Sequence, residues 1–278
     1  MAPERTRMAT YKAPLRDMQF VMQDLINFEK HYQSLPACDE VNQELIDAIL
    51  SEASKFAEEV LAPLYAVGDE VGCTMQEDGE VKTPPGFKEA YEQYIEGGWP
   101  SLDQPDRYGG QDLPMSIGLP VREMNGTANW SWAMYPGLSH GAMETIDTHG
   151  SDEQKAMFME PLVSGRWTGT MCLTEANCGT DLGLLKCKAE QAADGNYKIT
   201  GSKMFVSSGE HDLAENIVHI VLARLPDSPP GTKGISLFIV PKFIPNDDGS
   251  VGERNNVTCG ALEHKMGIHG NSTCLLNF

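Results

Sequence analysis

Apolar residues recur at helical spacing through the first half of the chain. In residues 11–33, Leu15, Met18, Val21, Met22, Leu25, Ile26 and Phe28 form a stripe near helical period, which predicts one helix after Pro14. A second helix is expected from about Asn42 to Tyr65. Its apolar positions Leu45, Ile49, Phe56, Val60 and Leu64 lie four or seven apart, and Pro63 falls where the helix should end. Gly68–Pro85 is acidic and turn-rich and reads as a loop. Phe87, Tyr91, Tyr94 and Ile95 share one helical face, with Gly97-Gly98 as the stop. Trp99–Leu113 shows no apolar period and reads as a second loop. Residues 114–149 mix small residues with methionine, as tightly packed helices do. Ser151 and Gln154 then have the spacing of a capping box, and the helix they start carries Met157, Phe158 and Leu162, with Pro161 near its end.

From Trp167 the pattern changes to short apolar runs. Trp167–Leu173, Cys187–Gln191, Tyr197–Thr200, Met204–Val206, Ile217–Ala223, Ile235–Val240 and Thr273–Phe278 read as strands separated by Gly, Asp, Asn and Pro. The expected fold class is therefore α+β. An N-terminal all-helical domain (residues 1–165) precedes an antiparallel β domain (residues 166–278). The junction near Ser164–Trp167 is too short for a flexible linker, so the two domains should pack closely.

Composition narrows the function classes. A 278-residue chain that is 41% hydrophobic can bury a sizeable core. No apolar run is long enough to span a bilayer. Arg5 and Arg7 are not followed by an apolar segment, so a secretory leader is not expected and the cytoplasm is the default location. The net charge of −19 opposes contact with nucleic acid or an anionic membrane. A phosphate-bearing ligand would need local donors. Lys186, Lys188, Lys203 and Lys265 are the candidates, each expected as a solvated surface lysine. The seven cysteines include no Cys-x-x-Cys pair, and the seven histidines no H-E-x-x-H spacing. Reduced thiols and no metal site are expected.

Several motifs compete. No G-x-G-x-x-G occurs, which removes a Rossmann nucleotide site. Gly195 and Gly201 with Ser202-Lys203 miss the P-loop spacing. Gly137-Leu138-Ser139-His140-Gly141 matches the G-x-S-x-G elbow of serine hydrolases, with Ser139 as the nucleophile. That elbow needs a strand before it. Residues 129–136 are poor in β-branched residues and end in Pro136, so a loop or helix start is the expectation there.

Two stretches stand apart. Met171–Asp181 (MCLTEANCGTD) and Ile199–Gly209 (ITGSKMFVSSG) each run from a strand-like segment into small polar turn residues, which can offer N–H and hydroxyl groups to a ligand. In this order and spacing they resemble the acyl-CoA dehydrogenase flavoprotein family, whose two blocks read close to "TEPGAGSD" and "NGxKxWITNG". Pro105, Tyr108, Gly109 and Gly110 match a family loop. Glu263–Cys274 resembles the family's "EKLGIRGSxTC" block. The resemblance runs from about residue 40 to the end. Within the family, Tyr11–Met18, Ser207–Asp212 and Leu222–Phe243 most resemble the 3-methylthiopropanoyl-CoA dehydrogenase group.

The resemblance implies FAD as cofactor and α,β-dehydrogenation of an acyl-CoA as reaction, with 3-(methylthio)propanoyl-CoA as a candidate substrate. It implies that Met171, Leu173 and Thr174 lie along the flavin ring and that Gly179 and Thr180 meet its pyrophosphate. Phe205 and Val206 would flank the ring, and Ser207 would place a hydroxyl by the nitrogen that takes hydride. Thr180 and His269 would touch substrate. Phe205 stands where many members have Trp, and Ser207 where many have Thr. Ala176-Asn177-Cys178 replaces a Pro-Gly-Ala type of turn. His269 stands in the usual place of Arg, and a neutral imidazole is a weaker phosphate partner. An electron-transfer flavoprotein is the implied electron acceptor, and a homo-oligomer the implied assembly. The family's catalytic carboxylate comes from a C-terminal helical bundle, so the base is expected beyond Phe278 and no catalytic residue within this chain. Glu175 is expected to hold a turn. The runner-up reading is a flavin-binding relative of the alkylation-response type without dehydrogenase activity.

Overall fold

The computed structural model describes residues 10–36, 38 and 40–278; Arg5 and Arg7 lie outside them. Two short helices, α1 (Leu15–Gln19) and α2 (Phe28–Tyr32), replace the single helix expected over residues 11–33. A π turn at Phe20–Leu25 follows α1, and Asn27, in the left-handed region at φ 57°, breaks the run. Its side chain caps α2 by accepting from Lys30 N. The apolar stripe is correspondingly scattered: Met22 is buried, whereas Val21, Leu25 and Ile26 are exposed.

Helix α3 (Gln43–Lys55), a π turn (Phe56–Leu61) and α4 (Ala62–Val71) form one continuous rod. Pro63 does not end it. The residue sits in the first turn of α4, and the π turn just before it shifts the hydrogen-bond register where a proline N–H would be missed. A small hairpin of β1 (Thr74–Met75) and β2 (Val81–Lys82) lies within the stretch expected as a loop. Helix α5 (Phe87–Glu96) stops at Gly97 as its pattern predicts. Helices α6 (Met115–Ala128) and α7 (Trp130–His149) are divided by Asn129. The Asn129 side chain accepts from Trp132 N and donates to Leu61 O, so one buried amide caps α7 and ties it to the long rod. Helix α8 (Asp152–Val163) carries the expected reciprocal capping box of Ser151 and Gln154. The helical core centres on the fully buried Trp132, whose indole N–H donates to Phe87 O and whose ring meets Phe56, Tyr91 and Tyr94.

The strands are β3 (Trp167–Cys172), β4 (Lys188–Gln191), β5 (Tyr197–Thr200), β6 (Ser202–Ser207), β7 (Asn216–Arg224), β8 (Ile235–Pro241), β9 (Phe243–Pro245), β10 (Val251–Arg254), β11 (Thr258–Leu262) and β12 (Thr273–Asn277). A five-stranded sheet runs β3-β7-β4-β5 with β8 also on β7, and a three-stranded sheet runs β11-β12-β6. The order of helices then sheet is as expected. Two pairings differ from a purely antiparallel sheet: β3 runs parallel to β7 from Trp167↔Asn216 to Cys172↔Val221, and β4 meets β7 in parallel at Lys188↔Arg224. The intervening β4, β5 and β6 supply the long crossover that a parallel pair requires. Strand β7 is buried from Asn216 to Ala223, which is why it reads as a near-continuous apolar run. The helical and sheet parts share a core: Met143 and Ile146 of α7 and Phe158 and Leu162 of α8 pack with Trp167, Val218 and Ile220. Among the described residues no helix is long and apolar enough to cross a membrane, and no cluster of ligating side chains could hold a metal.

Two histidines are sealed inside this core. His211 Nδ1 accepts from Leu213 N, and its Nε2 lies 2.9 Å from Thr168 Oγ1. Burial, reinforced by the nearby Lys242 charge, pushes both His211 and His219 down to about 3. Between pH 6.5 and that value the unfolded chain therefore binds more protons than the fold, and stability falls as pH drops. Urea midpoints measured from pH 7 downward should decline, and His219→Leu should flatten the slope by up to about 1.4 kcal/mol per pH unit. An unchanged slope in that variant would show that His219 is not one of the groups responsible.

Candidate functional site

Strand β3 edges one sheet and β6 edges the other, and the two meet along a seam. Thr170 Oγ1 donates to Ser207 O at 2.7 Å, and Met204 N–H donates to Thr174 O at 2.8 Å. Lys203 Nζ donates to Leu173 O at 3.0 Å and to Glu175 Oε1 at 3.0 Å. These bonds bring Met171, Leu173 and Thr174 of the first stretch beside Phe205 and Ser207 of the second.

Lys203 corrects the expectation of a solvated surface lysine, because it is 0% exposed. The cause is a β-bulge. Val206 pairs with Cys274 and Lys203 with Leu276, so Met204 and Phe205 together oppose Leu275. The extra residue turns Lys203 and Val206, three apart, to the same inward side. Phe205 takes φ 55° and is thrown outward at 58% exposure. A left-handed conformation is strained for an aromatic residue. Val206 is buried against the inter-sheet core with Cys172 and Cys274, so its side chain does not face the rim and only its backbone can.

Glu175 is buried and accepts from Lys186 N at 2.7 Å, Cys187 N at 2.9 Å and Lys203 Nζ. Burial alone would raise its carboxyl, but the two backbone donors and Lys203 outweigh that and hold it below the usual range. Glu175 and Cys178 exchange both backbone hydrogen bonds around a two-residue turn, Ala176-Asn177. Beyond it, Gly179 is half-buried and Thr180 exposed. A Cβ added at Gly179 would make only ordinary contact with Thr174, at 3.5 Å, so the fold itself leaves room there.

Asn271 is a positioning residue that sequence reasoning missed. Its Oδ1 accepts from Ser208 N and its Nδ2 donates to Ser208 Oγ, which fixes Ser208 at φ 55° directly after Ser207. The signal available was its place in the Glu263–Cys274 block.

Two candidates leave the site. His269 lies 3.0 Å from Asp69 O through Nδ1 and 2.8 Å from Lys265 O through Nε2. Both partners are acceptors, and these bonds raise the imidazole above its ordinary value by favouring its protonated form. Both of its ring nitrogens already meet protein carbonyls. Ser139 lies inside α7, buried, donating to Tyr135 O and accepting from Gly169 N. No strand precedes it, and the hydrolase elbow is excluded.

The Glu175–Lys203 pair should dominate the stability of the seam. Glu175→Gln leaves a buried ammonium unpaired and should cost about 3–5 kcal/mol in chemical denaturation. Glu175→Gln combined with Lys203→Met should cost less than the sum of the single losses. Additive losses would show that the two groups are uncoupled.

Comparison with known proteins agrees with this geometry. Residues 43–166 match the acyl-CoA dehydrogenase N-terminal domain and residues 170–278 the middle domain. The chain is 41% identical over 269 residues to a 3-methylmercaptopropionyl-CoA dehydrogenase of Ruegeria pomeroyi, covering 97% of this chain and 45% of that protein. The solved butyryl-CoA dehydrogenase of Megasphaera elsdenii superposes with a TM-score of 0.67 at 26% identity, covering 86% of this chain and 56% of that one. An acyl-CoA dehydrogenase from Bacillus anthracis complexed with FAD shares the fold, with a TM-score of 0.66 at 23% identity over 86% of this chain and 36% of that one. The chain spans less than half the length of two of the curated relatives it matches, at 45% and 44%. Helical and sheet domains in this order, with two motif-bearing edge strands locked side by side, make the chain a member of the acyl-CoA dehydrogenase family.

Proposed function

We propose that this chain is the flavin-binding portion of an enzyme that dehydrogenates an acyl-CoA thioester between its α and β carbons. One observation carries the reading: the bulge in β6 holds Phe205 outward in a strained conformation at the rim shared with Met171 and Thr174. Folding alone gives no reason to keep an exposed aromatic ring in that backbone region. A flat ligand at the rim does.

The residues present fit FAD. Met171 and Phe205, 38% and 58% exposed, offer apolar faces. Thr174 and Ser207 are half-buried at the same rim and offer hydroxyls for a polar ring edge. Gly179 leaves its backbone open to close approach, and exposed Thr180 adds a donor for pyrophosphate. Held there, FAD would supply the acceptor for the β hydrogen and its electron pair. The chain's part is to orient the ring and keep water from one face of it. Glu175 is not the base for the α proton, because its oxygens already accept from three donors. That proton goes to a different carboxylate, which this reading places outside the described residues. Similarity to the Ruegeria pomeroyi protein favours a short thioether acyl-CoA such as 3-(methylthio)propanoyl-CoA. An electron-transfer flavoprotein as electron acceptor, a homo-oligomer and a cytoplasmic location complete the reading.

Titration of the purified chain with FAD should give a bound flavin spectrum and quenched flavin fluorescence. A folded chain that takes up no FAD would overturn the proposal. Phe205→Asn should relieve the backbone strain, because Asn tolerates the left-handed region, and stabilise the fold by about 1 kcal/mol. The same change should weaken FAD binding about tenfold. Strengthened stability with unaltered FAD affinity would remove Phe205 from the site.

A further inference from the structure

Strands β11 and β12 are joined by a loop, residues 263–272, that reaches across to the C-terminal end of α4. Its base is closed by Glu263 N–H, which donates to Thr273 O at 2.8 Å, and by Lys265 Nζ, which donates to Asn271 O at 2.9 Å. Its far side meets the helix through His269. Gly72, just past α4, takes φ 67°, and a Cβ there would lie 3.4 Å from the His269 Cβ and carbonyl oxygen. The Cys73 N–H, which would otherwise turn back to Asp69 O, donates to His269 O at 3.0 Å. Asp69 O, in the last turn of α4, is thereby left to the imidazole. Nδ1 lies 3.0 Å from it, and Nε2 lies 2.8 Å from Lys265 O. His269 thus caps the helix end and braces its own loop at once.

Both carbonyl oxygens can only accept. A neutral imidazole carries one N–H, so one of the two contacts would set a nitrogen lone pair against a carbonyl oxygen at 2.8 or 3.0 Å. Only the imidazolium donates to both. The charges around the ring come from both elements. On α4, Asp69 Oδ1 lies 3.1 Å from Nδ1, Glu70 lines the same cleft, and the helix C-terminus itself favours a cation. On the loop, Lys265 opposes the charge, Glu263 lines the cleft, and the His264 ring lies 6.4 Å away between centroids. Cys73 stands by as a neutral thiol, because burial pushes it up to about 11. The same loop carries Asn271, whose amide holds Ser208 by two hydrogen bonds, and leads into Thr273, which pairs with Ser207. We infer that His269 is a positioning residue for the rim: its protonated ring pins the loop to α4, and with it Asn271, Ser207 and Ser208, so that the rim loosens when the ring loses its proton. That the rim so held serves FAD rests on the dehydrogenation reading. The bonds to Asp69 O and Lys265 O lift the folded value above 6.5, so the clamp is complete below pH 6.5 and is lost as pH rises through the folded value.

NMR on the purified chain follows the imidazole titration, with the His269 resonance assigned by its absence from His269→Arg. It should give a value above 6.5. Amide protection at Ser208 and Asn271, taken against the free-chain exchange rate at each pH, should fall about fivefold as pH rises through that value, the worth of one hydrogen bond. His269→Arg keeps a fixed charge and several N–H donors and should hold the protection at every pH. His269→Gln cannot ionise and should show the lowered protection at every pH. His264→Gln should behave as the unaltered chain. FAD affinity should follow the same pattern, falling about fivefold with rising pH in the unaltered chain and staying level in both His269 variants. An imidazole value at or below 6.5, rim protection indifferent to pH, or a pH dependence that survives in His269→Arg would each overturn the inference. Binding of FAD with an affinity indifferent to pH would overturn the part of His269 in the site. Protection that follows the pattern in a chain that takes up no FAD would overturn the flavin reading and leave the clamp standing, so the two failures are separate results.

Discussion

The seam depends on one buried ion pair. Glu175 and Lys203 are withdrawn almost wholly from water, and removing two charges from water is costly. Here the loss is offset because the surrounding bonds are complete. Leu173 O takes a second Lys203 proton, and Lys186 N and Cys187 N supply the carboxylate. A pair with this many partners has one arrangement. It fixes the strand exit of the first stretch against the bulge of the second, and so sets the positions of Thr174, Phe205 and Ser207 together.

The strain at the rim is distributed around that anchor. Phe205 and Ser208 both take left-handed conformations, and Ser207 lies between them. Each is held from outside its own strand: the bulge by β12, Ser207 by Thr170, and Ser208 by Asn271. Asn271 Nδ2 also donates to Ser131 O of α7, so the helical half takes part in shaping the rim. The sheet edge is therefore preorganised by contacts that converge from three separate elements.

Helix α7 joins the two halves of the molecule. Ser139 receives the Gly169 N–H of β3, and Tyr135 hydroxyl receives Ser272 N–H beside β12. On another side, Met134 and Leu138 of the same helix line a cavity of about 350 Å³ together with Asn125 of α6. One helix thus braces the seam and walls that cavity. Its small residues serve both ends, since Gly169 approaches Ala142 closely enough that a Cβ there would sit 2.4 Å from it.

Much of this was legible in the chain itself. Helical period, caps and stops gave α5 and the start of α8, because those signals act within a few residues of where they lie. The alternation of short apolar runs gave most strands of the sheet half. The two motif stretches were legible as a pair, since their turn chemistry is local. What sequence could not give were consequences of contacts between distant segments. A lysine is polar in any window, and only the bulge opposite Leu275 places Lys203 inside against Glu175. A proline reads as a helix end, and only the π turn before it carries the rod past Pro63. His269 reads as a donor until the fold brings Asp69 O and Lys265 O to both of its nitrogens. Local spacing decided which elements form; long-range pairing decided which side chains face inward, and with that which of them remain available to a ligand.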